Sequence, residues 1–252
     1  MKNTTIFGAL DPELMERVTR RGAVTQSSKM AGALAIASMP VAFGLLAKKA
    51  FAQGTALPAP IIEVLNFALT LEYLERDFYQ GGVDAGVISG PDLPIFETIR
   101  DHEAAHVTLL VGAITTGGGT PVPEPTFDFT ANGSFPDPFS DYTTFKALAQ
   151  GFEDTGVRAY KGQAGALMGN DAILTTALRI HSVEARHASA VRRLRGQKGW
   201  IIENTTDVPA LAPVYAGEEV GAGVTIAAAS AAFDEPLTKE QVLAIANLFI
   251  VP

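Results

Sequence analysis

HEAAH at residues 102–106 and VEARH at residues 183–187 are the two stretches on which the reading of this chain turns. Each holds a Glu followed three residues later by a His: Glu103 with His106, and Glu184 with His187. On a helix, positions i and i+3 share a face, so each pair can grip one ion. Another acid precedes each motif at one and the same separation, Glu72 before Glu103 and Glu153 before Glu184. Seven residues after each of those comes a tyrosine, Tyr79 and Tyr160, although the 252-residue chain has only 5 tyrosines. Glu, Tyr, Glu and His thus occur twice in one register, from Glu72 to His106 and from Glu153 to His187, which a repeated helix pair explains.

The surroundings of these acids place them inward. Leu65, Ala68 and Tyr79 flank Glu72 at helical spacing; Phe96, Ile99 and Leu110 flank Glu103; Ala177, Ile180 and Val191 flank Glu184. Each carboxylate therefore lies on an apolar stripe that faces a core. The stripe around Glu153 is less clean, with Lys146, Ala149 and Tyr160. A lone buried carboxylate costs several kcal/mol at least, and four converging ones repel each other. Two divalent cations remove both penalties.

Outward from the motifs, residues 61–80 predict a helix that Gly81-Gly82 stops. Residues 91–116 predict a second, with Pro94 in its first turn and Gly117-Gly118-Gly119 at its end. Residues 117–142 carry five prolines and no helical period, and read as a long ordered crossover. A third helix is expected over about 141–168 and a fourth over about 171–196. Helix pair, long crossover, helix pair predicts an all-α four-helix bundle in which helices two and three run parallel. The tail, residues 197–252, reads as an irregular extension packing on the bundle. It contains one short fifth helix, LTKEQVLAIANLF, opened by a Thr238/Gln241 capping box; residues 213–233 fit short strands or loop equally.

Ahead of the bundle, assigned to residues 53–196, residues 1–52 read as an export signal. Arg20-Arg21 lie in a long charged segment, residues 30–47 are small and apolar, and Ala50 and Ala52 form an A-x-A pattern before Gln53. The adjacent arginines resemble a twin-arginine (Tat) signal peptide, although Gly22-Ala23-Val24 follows where a bulky apolar residue is usual. The expected location is periplasmic or cell-envelope. If residues 30–47 are retained instead, they tether the domain to a membrane.

A net charge of −8 without a basic stripe excludes a nucleic-acid partner. The absence of cysteine excludes disulfides, thiolate zinc sites and iron–sulfur clusters, so any metal here is held by oxygen and imidazole.

Over about residues 58–196 the chain resembles the ferritin-like superfamily, and most of all its exported, desiccation-related members. The resemblance rests on Glu72 in LTLEYLERDFY, Glu103 and His106 in HEAAH, Glu153 in GFEDTGVRAY, and Glu184 and His187 in VEARH. It implies two metal ions, iron or manganese, with Glu103 and Glu184 bridging, Glu72 and Glu153 terminal, and one His on each ion. A tyrosine seven residues after a terminal Glu lies near the metals in relatives, which makes Tyr79 and Tyr160 candidate catalytic groups. The implied chemistry is redox, on O₂ or H₂O₂, of ferroxidase, peroxidase or catalase type. The competing reading is a non-enzymatic, stress-protective envelope protein whose metals only brace the bundle. Assembly into a homo-oligomer is left open.

Three alternatives attach to single residues. Glu75, one turn beyond Glu72, competes with it as a ligand; otherwise it is a solvated acid paired with Arg or Lys. HEAAH also fits the H-E-x-x-H zinc-protease motif through His102 and His106, which leaves the second E-x-x-H unexplained. His102 and His181 are either groups behind the ligands or surface residues.

Overall fold

The computed structural model describes residues 56–219 and 223–252. The expected signal at 1–52 and the apolar run at 30–47 lie outside them. Among the described residues no helix is long and apolar enough to cross a membrane.

Four long helices form the body: α1 (Ala59–Ala85), α2 (Leu93–Thr116), α3 (Tyr142–Gln163) and α4 (Asp171–Leu194). Leu57 N–H bonds to Gly117 O, joining the start of α1 to the end of α2, so these two are antiparallel. Lys146 Nζ reaches Leu194 O and does the same for α3 and α4. Tyr79, late in α1, meets Glu153, midway along α3, while Tyr160, late in α3, meets Glu72, so α1 and α3 are antiparallel. It follows that α2 and α3 run parallel, as the crossover requires.

The helix ends correct one expectation. Gly81-Gly82 does not stop α1, which continues to Ala85 and ends on Gly86 at φ +66°. A Cβ on Gly81 would stand 2.7 Å from the Phe139 ring, and one on Gly82 would stand 2.2 Å from Phe145. These glycines let two rings lie against the helix; they are a packing device that mimics a stop signal. The other ends follow expectation more closely. Asp141 caps α3 by accepting from Thr143 and Thr144 N–H, and Asn170 caps α4 by accepting from Ile173 N–H. α3 is shorter than expected, passing at Ala164 into a 3₁₀ turn, Ala164–Leu167.

The tail is helical wherever regular. A 3₁₀ turn at Pro209–Tyr215 is followed by α5 (Ile226–Ala232) and α6 (Lys239–Ala246). The Thr238/Gln241 capping box opens α6 as expected. Short strands do not form in 213–233 among the described residues; α5 occupies part of that stretch, capped by Thr225. The last residues pair instead with the crossover through a single antiparallel bridge, Phe127 with Ile250.

The tail wraps α3, and every residue from Ala147 to Tyr160 is buried. Arg158 carries this packing. Its guanidinium, fully buried, donates to the carbonyls of Glu235, Val214 and Ala216, and its Nε lies 3.1 Å from Glu218 Oε1. Beside it Asp154 accepts from Arg192 (3.0 and 2.5 Å) and from the Tyr215 hydroxyl (2.8 Å). The stripe around Glu153 is broken only at Lys146, which is half-buried and donates to the Leu194 carbonyl, whereas Ala149 and Tyr160 are buried.

Candidate metal centre

All six residues of the doubled motif converge in the middle of the bundle. Glu72, Glu103, Glu153 and Glu184 are 0 % exposed, His106 2 % and His187 5 %. They fall into two sets: Glu72, Glu103, Glu184 and His106, and Glu153, Glu103, Glu184 and His187. In each set one donor atom per residue lies within 4.8 Å of all the others.

The distances within a set are specific. His106 Nδ1 is 3.1 Å from Glu72 Oε2, 2.9 Å from Glu103 Oε2 and 3.1 Å from Glu184 Oε1. His187 Nδ1 is 2.8 Å from Glu103 Oε1, 3.3 Å from Glu153 Oε2 and 3.9 Å from Glu184 Oε2. Glu103 and Glu184 therefore each turn one oxygen to one set and the other oxygen to the second.

Hydrogen bonding does not account for this packing. Five of the seven buried side-chain polar atoms without a hydrogen-bond partner, among the described residues, belong to the cluster: Glu103 Oε1, Glu153 Oε2, both Glu184 oxygens and His187 Nδ1. One imidazole N–H cannot satisfy three carboxylates around it. An ion with octahedral donors at ~2.1 Å spaces neighbouring donors by ~3.0 Å, close to the spacings around His106. Hard oxygens with imidazole, and no sulfur, suit iron or manganese. The residues present fit metal binding.

Protonation in the metal-free cluster shows the same tension. Burial raises Glu72 to about 8, with His106 acting against it, and burial drives Glu75 and Glu153 well above the carboxylate range. Burial also pushes Glu103 up, but His106 and His187 outweigh it and hold it below its usual value. Burial and Glu103 push Glu184 up, while the same two histidines close beside it bring it below its usual value. His106 and His187 are raised well above normal, because the carboxylates around them outweigh their burial.

Around the centre, the Tyr79 hydroxyl donates to Glu153 Oε1 at 2.5 Å and the Tyr160 hydroxyl donates to Glu72 Oε1. Burial, then the adjoining carboxylate, keeps both phenols protonated far above their usual pKa. Tyr79 packs on Phe96 and Phe145, with ring centroids at 6.0 and 6.2 Å.

Three residues outside the doubled motif take places around it. Glu75 is not solvated: it is 3 % exposed, and its Oε1 occupies space that Gly156 leaves beside Glu184. His102 does not join His106 in a zinc-protease pair; its Nδ1 lies 2.9 Å from Nε2 of His187, the nitrogen remote from the carboxylates. Were His187 to hold a metal through Nδ1, its Nε2–H would donate to His102 and fix that tautomer. His181 has a buried, unpartnered Nε2 and belongs to neither set. A faint signal for Glu75 existed in the repeat, where Gly156 holds the matching position of the second half. Arg158 and the Asp154 network left none, because their partners come from the irregular tail.

Four helices projecting four carboxylates and two imidazoles inward form a buried donor cluster that could hold metal, on the layout of a ferritin-like bundle. Residues 61–197 match the sequence model of the ferritin-like domain, and the chain belongs to that family. No curated protein matches the chain.

Proposed function

We propose that this is an exported ferritin-like protein holding two iron or manganese ions and performing redox chemistry on O₂ or H₂O₂. One observation carries the reading: both shared carboxylates, Glu103 and Glu184, split their oxygens between the two donor sets. When bound, a pair of redox-active ions supplies electrons to, or accepts them from, a small oxidant.

The chain's own residues do the rest. Glu72 with His106, and Glu153 with His187, complete the two sets. The Tyr160 and Tyr79 hydroxyls hold one oxygen of each terminal carboxylate and leave the other free for an ion. Both phenols keep their protons, so they act as donors close to the centre. Phe96 and Phe145, both fully buried, exclude bulk water on the Tyr79 side. The purified mature domain is expected to contain about two equivalents of metal, to show anomalous scattering at the iron or manganese edge, and to oxidise Fe(II) or consume H₂O₂. No metal and no turnover would overturn it.

The nearly complete burial of the six donors supports a second reading, in which the ions only brace the helices. Glu103→Ala separates the two. A redox centre predicts lost turnover in a bundle that still folds; a brace predicts lost thermal stability with no turnover even in the wild type. Export rests on residues 1–52 alone, and is tested by fractionating cells and determining the mature N-terminus.

A further inference from the structure

A cleft of about 370 Å³ lies between the loop at residues 195–208 and the helices α3 and α4. None of the six donors lines it, so it is separate from the candidate metal centre. Its size falls within the ~300–1,000 Å³ usual for small-molecule sites. Gln150 on α3 and Arg192 on α4, both buried, form its floor; Trp200, Ile202, Gln197 and Asp207 form its wall and rim.

The loop is fixed along its length. Arg195 Nη2 donates to both Asp207 oxygens, at 3.0 and 2.8 Å, which closes the loop on itself. Arg192 Nη1 donates to the Trp200 carbonyl at 3.3 Å. Gly199 lies against α4, where a Cβ would stand 2.4 Å from Ser189 Oγ, and Ile201 is buried in the core. Glu203 N–H donates to the Ser230 hydroxyl on α5 at 2.6 Å. Trp200 is thus held on both sides while its own residue stays 44 % exposed. A single exposed apolar residue is ordinary on a protein surface. One that is pinned by its neighbours and lines a polar cleft is a preformed platform, and preorganisation lowers the ordering cost of binding.

The lining selects the ligand. Trp200 and Ile202 are its apolar residues, so a wholly apolar molecule would leave the polar groups desolvated and unpaired. A phosphate is opposed too. The charge of Arg192 is met by Asp154, that of Arg195 by Asp207, and the Asp207 carboxylate itself stands at the rim. What remains is hydrogen-bonding capacity of both kinds. Three of the five N–H groups of Arg192 go to Asp154 and the Trp200 carbonyl, and the others are left over. Gln197 uses only its amide nitrogen among the described residues, 3.5 Å from Asp207 Oδ1, so its carbonyl oxygen is an acceptor. Lys198 Nζ, 5.9 Å from the Trp200 ring centroid, adds a donor at the rim. A broad indole face ringed by donors and acceptors matches a flat C–H face edged with hydroxyls, which is a sugar ring.

We infer that this cleft binds a saccharide, with one sugar ring stacked on Trp200 and its hydroxyls bonded to Gln197, Asp207 and Arg192. The inference is independent of the redox reading: no metal enters it, and a protein without turnover leaves it standing. Trp200 is the sole tryptophan of the chain, so the tryptophan emission of the purified protein reports on this cleft alone. Titration with glucose, N-acetylglucosamine, glucuronate, maltose and cellobiose is expected to change that emission saturably with at least one of them, at a Kd of about 1 mM or tighter. Saturation-transfer NMR with the same sugar is expected to show the strongest transfer at its ring C–H protons. Trp200→Ala, at an exposed side chain, is expected to leave the melt unchanged and to weaken binding about tenfold or more in the NMR assay, and Trp200→Tyr to restore most of it. Gln197→Ala is expected to weaken binding severalfold, and tests the site should Trp200→Ala not fold. Absence of binding with every sugar of the panel overturns the inference, and so does binding that Trp200→Ala and Gln197→Ala leave unchanged. Saturable binding of inorganic phosphate or of AMP, with no response to any sugar, also overturns it.

Discussion

Tyr79 on α1 donates its hydroxyl proton to Glu153 on α3, 2.5 Å away, and so ties the first helix of one repeat to the terminal carboxylate of the other. Tyr160 returns the bond to Glu72. A buried hydrogen bond to a charged acceptor contributes ~1.5–3 kcal/mol. Tyr79→Phe is therefore expected to lower the Tm by several degrees and keep the helical content, with metal stoichiometry intact because the six donors remain. Circular dichroism melts and elemental analysis check both. Loss of metal without loss of Tm would place the hydroxyl among the ligands instead.

Metal removal couples to pH with a definite sign. In the metal-free protein Glu72 titrates near 8, and Glu75, Glu153, His106 and His187 are also raised. A group that binds its proton more tightly when folded contributes stability below its unfolded pKa and loses it as pH rises through the folded value. The lowered pair, Glu103 and Glu184, act in the opposite sense, but only as pH falls below the ordinary carboxylate range. The apo bundle is thus expected to lose stability steadily from about pH 5 to pH 8. Metal affinity should climb over the same interval, because binding displaces those protons. Melts in chelator across this range, beside metal titrations with proton release, test the pair. An apo Tm that rises with pH contradicts it.

Arg158 binds the tail to α3. Arg158→Ala leaves Glu218 buried without its counter-charge and strips donors from three carbonyls. Breaking a buried pair on one side typically costs ~3–5 kcal/mol. The tail should detach before the bundle melts, visible as rapid proteolysis within residues 197–252 while a core containing the E-x-x-H motifs survives. Gly162→Ala provides an independent check, since its Cβ would come 2.0 Å from the Leu237 carbonyl oxygen, which is backbone and cannot swing aside. Protease resistance in both variants would show that the tail is held elsewhere.

The bundle and the six donors were legible because both are periodic. Glu72, Glu103, Glu153 and Glu184 recur in a register no loop would preserve, and the histidines follow each second acid at one helical turn. The helix stop at Gly81-Gly82 misled because glycine serves two purposes, and only the positions of Phe139 and Phe145 show which one applies. Arg158 and Asp154 could not be read at all. Whether a charged side chain in a helix faces water depends on what covers it, and here the cover is the tail, whose 3₁₀ turn and short helices have too few residues to show a period.

Gly156 stands where the repeat places the counterpart of Glu75, and the two positions exchange side-chain volume. A Cβ on Gly156 would come 3.2 Å from Glu75 Oε1 and 3.4 Å from Glu184 Oε2. Gly156→Ala gains ~1 kcal/mol in helix propensity, so a purely local effect would stabilise α3. Against that, the added methyl crowds Glu75 Oε1, and a displaced Glu75 moves against Glu184, the carboxylate that serves both donor sets. Changes that disturb a ligand's orientation typically cost ~10–100-fold in metal affinity, and about tenfold is expected here. Removing the other occupant should relieve the pressure: Glu75→Ala combined with Gly156→Ala is expected to recover most of the lost affinity, a non-additive result that marks direct coupling. Isothermal titration with Mn(II) on the four proteins of this cycle measures it. Strict additivity would mean that Glu75 and the methyl do not compete for one space, and that the extra carboxylate lies elsewhere when the ions are bound.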